Sequence, residues 1–91
     1  MKHAGATTLA LLRDLLDAIR AEGPFREPRP GVFYLKSKAF LHFHEDQAGI
    51  FADVRAPGET EFTRIKVDDE QGRAALLDRV NRASRPDPFP S

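Results

Sequence analysis

The pattern of apolar and polar residues divides the chain into two helical segments with a β region between them. Between residues 7 and 22, apolar side chains recur every three or four positions, which is the spacing of one face of an α-helix. These residues are Leu9, Leu12, Leu16 and Ile19. Thr7 or Thr8 can cap the helix start through its side-chain oxygen, and Gly23 followed by Pro24 predicts the helix end. Residues 1–6 are small and polar, so we expect them to fray.

Three prolines and a glycine between residues 24 and 31 predict an extended connector, because proline is excluded from helix interiors. The next 35 residues are rich in aromatic and β-branched side chains. They predict four strands, over residues 32–36, 39–44, 48–55 and 61–67. Short turns at residues 36–38, 45–47 and 56–59 separate these strands, and short turns join antiparallel neighbours. The β region is therefore predicted to form a four-stranded antiparallel meander.

A second helix is predicted after residue 68, where Asp68 and Gln71 have the spacing of a capping box. Gly72 is expected to weaken its first turn by up to about 1 kcal/mol relative to alanine. The helix should end near residues 81–84, and residues 85–91 form a proline-rich tail that we expect to be flexible. The predicted order is α-β-β-β-β-α. The fold class is α+β, a single two-layer domain over residues 1–84 with an N-terminal and a C-terminal helix.

Side-chain alternation gives the predicted sheet two different faces. We place Phe43 opposite Ile50 and Asp53 opposite Phe62, so that aliphatic residues share the face that carries the helices. The other face then collects three phenylalanines and three polar residues. These six candidate binding residues are Phe40, His42, Phe51, Asp53, Phe62 and Arg64. A slip of one residue in any strand would move its set to the opposite face.

The three phenylalanine rings predict an apolar patch around a polar trio, and exposed patches of this kind mark contact surfaces. We therefore interpret the chain as a small binding or protein-interaction module. Its partner is a second copy of the chain, another protein or a ligand. A homodimer is the simplest of these, because most soluble oligomers are homo-oligomers. The alternative structural interpretation is that this face is solvated or covered by a terminal helix.

His42 and His44 are two residues apart on one predicted strand, so both imidazoles point the same way, as a metal site requires. Glu45, Asp46 and Asp53 can add carboxylate oxygens. His42 with Asp53 and Arg64 offers an acid–base group, but no nucleophile elbow or phosphate loop accompanies it. A metal-binding protein or small enzyme centred on His42, His44 and Asp53 is the alternative interpretation, and a nucleic-acid accessory protein is a third. The interpretation as a binding or protein-interaction module requires no enzymatic activity and no cofactor.

Composition narrows the possible partners and compartments. Fourteen basic and fourteen acidic residues cancel, which disfavours a nucleic-acid partner, and the eight acids of residues 41–70 oppose phosphate binding by the Lys36-Ser37-Lys38 turn. The absence of cysteine excludes disulfides and thiolate metal sites. No run of about 18 apolar residues and no signal-peptide pattern is present. We therefore expect a cytoplasmic protein without membrane contact.

Residues 30–54, PGVFYLKSKAFLHFHEDQAGIFADV, resemble the strand, basic turn, strand, turn and strand of small uncharacterised bacterial α+β proteins of the YjbR-like and YdhG-like type. The strand at residues 61–67 and the closing helix are also similar to the YdhG-like pattern. The resemblance covers about half of the chain and includes no catalytic motif. It implies a fold that, for the YjbR-like proteins, is compared with DNA-binding modules, and it assigns no functional residue.

Overall fold

A computed structural model describes residues 2–84, and the predicted tail at residues 85–91 lies outside them. The fold is α+β, as predicted, with an antiparallel sheet. The described chain has six strands and three helical segments instead of the expected four and two. In chain order these elements are β1 (Lys2–His3), α1 (Ala6–Leu11), α2 (Arg13–Ala21), β2 (Arg26–Arg29), β3 (Val32–Leu35), β4 (Lys38–Asp46), β5 (Gly49–Val54), β6 (Thr63–Lys66) and α3 (Glu70–Ser84).

The sheet contains the predicted meander and two strands that the sequence pattern did not predict. Strands β2 to β6 follow one another in the order β2-β3-β4-β5-β6, and β1 pairs separately with β4. The expected connector supplies β2, an edge strand, where proline is tolerated because one side of the strand needs no hydrogen bonds. The expected frayed terminus supplies β1, in which Lys2 lies opposite Glu45 and 3.4 Å from its carboxylate.

The turn between β3 and β4 has an unusual backbone conformation for its residues. Lys36 and Ser37 both have positive φ, 53° and 67°. A two-residue hairpin of type I′ requires this left-handed conformation at both positions, usually from asparagine and glycine. The predicted turn is confirmed, and it holds two non-glycine residues in a region they rarely adopt.

The N-terminal helix is present but is divided at Leu12. This residue has φ −94° and ψ 9°, although its carbonyl still accepts the Leu16 N–H at 2.9 Å across the break. The helix ends before Gly23, as predicted, where φ is +139°. The expected threonine cap is wrong, because Gly5 is the N-cap and the Thr8 hydroxyl donates to the Glu45 carboxylate instead.

The start of α3 differs from the predicted capping box. The Asp69 carboxylate accepts the Gly72 N–H at 2.8 Å, while Asp68 accepts the Ile50 N–H at 2.9 Å and so connects the helix start to β5. A Cβ atom on Gly72 would lie 1.8 Å from the Lys66 carbonyl oxygen. Glycine is therefore needed here for close packing of the helix on β6.

The core lies between one face of the sheet and the helices. Strands β4 and β5 contribute Leu41, Phe43, Ala52 and Val54, all at most 2% exposed. Helices α2 and α3 contribute the buried residues Leu15, Leu16, Ile19, Leu76 and Val80 to the same cluster. The helices thus cover the predicted aliphatic face. Within residues 2–84, no helix combines the length and apolar character needed to cross a membrane.

Candidate functional site

The face of the sheet opposite the core carries most of the predicted site. His42 lies opposite Asp53, and Asp53 lies opposite Arg64 on the next strand. His44 lies opposite Phe51. The predicted register is wrong by two residues in both hairpins, but every candidate residue except Phe40 keeps its predicted face, because the side-chain period of a strand is two.

Phe40 is the exception among the six candidate residues. The prediction that it shares the outer face is wrong, since it is 3% exposed, belongs to the core cluster and stacks on Phe25 at 4.9 Å between ring centroids. The cause is a β-bulge, because Phe33 pairs with Leu41 while Tyr34 pairs with Ala39, leaving Phe40 as an extra residue. A bulge interrupts the alternation on which the prediction depended.

The other two phenylalanines flank the polar residues and are half-buried. Phe62 precedes β6 and meets the edge of the His42 ring at 4.8 Å between centroids. The Arg55 guanidinium lies 4.7 Å from the centre of the Phe62 ring, and that of Arg64 lies 6.0 Å from Phe51. The expected apolar patch is therefore two rings, each covered in part by an arginine.

Three histidines form a cluster at the centre of this face. His42 Nδ1 and His44 Nε2 are 2.5 Å apart. His3 joins them, because β1 places it directly opposite His44. One ring nitrogen from each of His3, His42 and His44 lies within 4.8 Å of the others. The sequence analysis missed His3, since a two-residue strand has no periodicity; the only available signal was that it is the chain's third histidine.

Asp53 supports the cluster from β5. It is 7% exposed, and both of its carboxylate oxygens accept hydrogen bonds from Arg64, at 2.8 and 2.9 Å. Its Oδ2 also lies 3.2 Å from His44 Nε2, the same nitrogen that faces His42. The hydrogen bonds from Arg64 are the main reason that the pKa of Asp53 is lowered, so the carboxylate is ionised at neutral pH.

Burial lowers the pKa of both His42 and His44. The neighbouring histidines lower it further, and the Asp53 carboxylate opposes the shift without reversing it. Both imidazoles are therefore neutral at pH 7. A neutral imidazole has one nitrogen with a free lone pair, which is the form that ligates a metal ion.

Imidazole nitrogens suit Zn²⁺, Ni²⁺ and Cu²⁺, and a nearby carboxylate is a common additional ligand.

Comparison with known proteins adds no assignment: no family model, curated protein or solved structure matches this chain. The resemblance to the YjbR-like and YdhG-like proteins therefore stays a prediction.

Proposed function

We propose that this protein is a binding module that holds a divalent transition-metal ion between His3, His42 and His44. The observation that supports this proposal is the convergence of three ring nitrogens, from two strands, within 4.8 Å of one another. Three imidazoles with neighbouring ring nitrogens are the kind of donor set that binds a divalent transition-metal ion. A shared cation satisfies all three at once.

The spacing of the nitrogens fits one ion after small side-chain rotations. Nitrogens bound at about 2.1 Å in a tetrahedral site are about 3.4 Å apart. This distance lies between the 2.5 Å of the His42–His44 pair and the 4.8 Å limit of the cluster. His3 is exposed, so its ring is free to adjust.

Asp53 is the available fourth ligand. Its Oδ2 is beside His44 Nε2, so an ion bound to that nitrogen is within reach of the carboxylate. Arg64 holds the carboxylate in place from the neighbouring strand. Because Arg64 also competes for its negative charge, we expect Asp53 to contribute less to affinity than any of the histidines.

Calorimetric titration of chelator-treated protein with Zn²⁺ and Ni²⁺ tests the proposal directly. We expect one ion per chain. The single substitutions His3→Gln, His42→Gln and His44→Gln should each weaken binding by about 100-fold or more. This exceeds the usual effect of removing a residue that only contacts a metal ligand. The imidazole signals in a two-dimensional NMR spectrum provide a second readout. All three histidines of the chain belong to the cluster, so every such signal reports on the site.

The matched control is Asp46→Asn, which removes a nearby carboxylate at the end of β4 while keeping a side-chain oxygen for the Ala48 N–H. This variant should bind the metal as the wild type does. Imidazole signals that do not move on addition of either ion would contradict the proposal. Wild-type affinity in His44→Gln would also contradict it.

Self-association through the same face is a second proposal. It is supported by the position of the helices, which pack on the opposite face, and by Phe51 and Phe62 on the face that they leave uncovered. Sedimentation velocity at micromolar concentrations should then detect a dimer that Phe51→Asp converts to a folded monomer. A monomeric mass for the wild type, with and without metal, would remove this proposal and leave the metal site untouched.

A further inference from the structure

A groove of about 1140 Å³ lies at the end of the domain where β4 begins. Its walls are the β3–β4 turn, the loop that follows β5, and the last turn of α3. Apolar side chains form its floor, and the residues concerned are Pro24, Leu35, Phe40, Val54, Pro57 and Ala83. None of the six candidate residues other than Phe40 contributes to it, so the groove is separate from the histidine cluster.

The rim of the groove is strongly basic. Five cationic side chains line it against the single carboxylate of Glu59, and they are Lys36, Lys38, Arg55, Arg79 and Arg82. Arg79 pairs with Glu59 at 3.6 Å, and Arg82 pairs with Asp78. Lys36, Lys38 and Arg55 form no ion pair within residues 2–84. Arg55 is nevertheless engaged, since its Nε donates to the Ala39 carbonyl oxygen at 2.6 Å and its guanidinium lies over the Phe62 ring. Lys36 and Lys38 are therefore the cations with which an anionic ligand would pair.

Glu59 lines the groove, but other acids of the chain's middle segment lie elsewhere in the fold. Strand β4 runs from Lys38 to Asp46, and eight rises of about 3.3 Å separate its two ends by about 26 Å. Glu45 and Asp46 are at the far end, and Asp53 is engaged by Arg64 on the outer face. The neutral net charge of the chain thus conceals a basic end, and Lys38 lies beyond the screening length from Glu45 and Asp46 at physiological salt.

The chemistry of the groove favours an acidic peptide over a nucleic acid. Proteins that bind single-stranded nucleic acid stack the bases on accessible aromatic rings. Among the residues that line the groove within the described chain, Phe40 is the only aromatic one, and it is 3% exposed and stacked on Phe25. Leu35, Pro57 and Ala83, which are at least partly exposed, offer instead an aliphatic surface suited to apolar side chains.

From the basic rim and the aliphatic floor, we propose that this groove binds an acidic segment of another protein, one in which carboxylates alternate with apolar side chains. The carboxylates pair with Lys36 and Lys38, and the apolar side chains lie on the floor. This proposal does not depend on the metal site, since no cluster histidine lines the groove.

Fluorescence anisotropy with a labelled synthetic peptide of alternating glutamate and leucine tests this site on the full chain. We expect saturable binding that weakens when salt is raised from about 50 to about 300 mM, because exposed ion pairs are screened. The double variant Lys36→Asn/Lys38→Gln should weaken binding by about tenfold, the effect of two lost ion pairs. Asparagine suits the positive φ of residue 36.

The matched control is Arg13→Gln/Arg29→Gln, which removes the same charge from exposed positions outside the groove. It should bind the peptide as the wild type does. Equal weakening in both double variants would show a long-range charge effect and overturn the site. Tighter binding of a labelled oligothymidylate than of the peptide, lost in the lysine variant alone, would assign the groove to nucleic acid and overturn the peptide proposal.

Discussion

Replacing Phe40 by alanine tests the structure most directly, because side-chain alternation places the ring on the outer face of the sheet and the structure places it in the core. The ring is 3% exposed and stacks on Phe25 with 7° between the ring planes. Removing a buried phenylalanine ring costs about 3–5 kcal/mol. A chain of this length has a free energy of unfolding of about 5–14 kcal/mol, so the variant loses a large part of its stability.

The assay is urea unfolding followed by far-ultraviolet circular dichroism. We expect the midpoint to fall with little change in slope, and the melting temperature to fall by about 12 °C or more at about 4 °C per kcal/mol. Phe62→Ala is the matched control: its ring is half-buried, against His42 and beneath Arg55, so we expect a loss below about 1.5 kcal/mol. Equal stability losses in the two variants would refute the assignment of Phe40 to the core.

Three further predictions concern glycine, turn and ion-pair positions. Gly72→Ala should destabilise the protein by about 1–3 kcal/mol in urea unfolding, because the new methyl group would overlap the Lys66 carbonyl. Helix propensity alone favours alanine, so a gain in stability would contradict this packing argument. Ser37→Gly should raise the free energy of unfolding by up to about 1 kcal/mol, and the melting temperature with it, since it relieves a positive φ of 67°. An unchanged or lower melting temperature would argue against strain in the turn. Hydrogen bonds from Arg20 lower the pKa of Glu27 below 4.5, so its stabilising effect is present above that pH and is lost as the pH falls through its folded-state pKa. Wild type should therefore exceed Glu27→Gln in stability at pH 7, with the difference shrinking below pH 4.5 in unfolding curves; a constant difference would contradict the ion pair's role.

Local patterns in the sequence were sufficient for the elements that depend on near neighbours. The spacing of Leu12, Leu16 and Ile19 predicted the N-terminal helix, and Gly23 with Pro24 predicted its end. The short turns predicted the antiparallel meander. The assignment of His42, Phe51, Asp53 and Arg64 to one face survived a two-residue error in register, because alternation preserves the face under any even shift.

Features that depend on contacts between distant residues could not be read in this way. His3 becomes part of the histidine cluster only because β1 pairs with β4, more than 40 residues away in sequence. Phe40 enters the core only because a bulge in its pairing with β3 breaks the alternation. Gly72 is required only because α3 packs against the Lys66 carbonyl.

The sequence by itself determined the α+β class, the main helices and strands, and the face of most candidate residues, since each follows from the periodicity of a short segment. Only the tertiary structure decided which side chains meet. It completed the histidine cluster with His3, and it separated the lysines of the β3–β4 turn from the acids at the other end of β4. Strand-pairing partners and bulges depend on the free energy of the whole packed chain, so they cannot be predicted from a local sequence pattern.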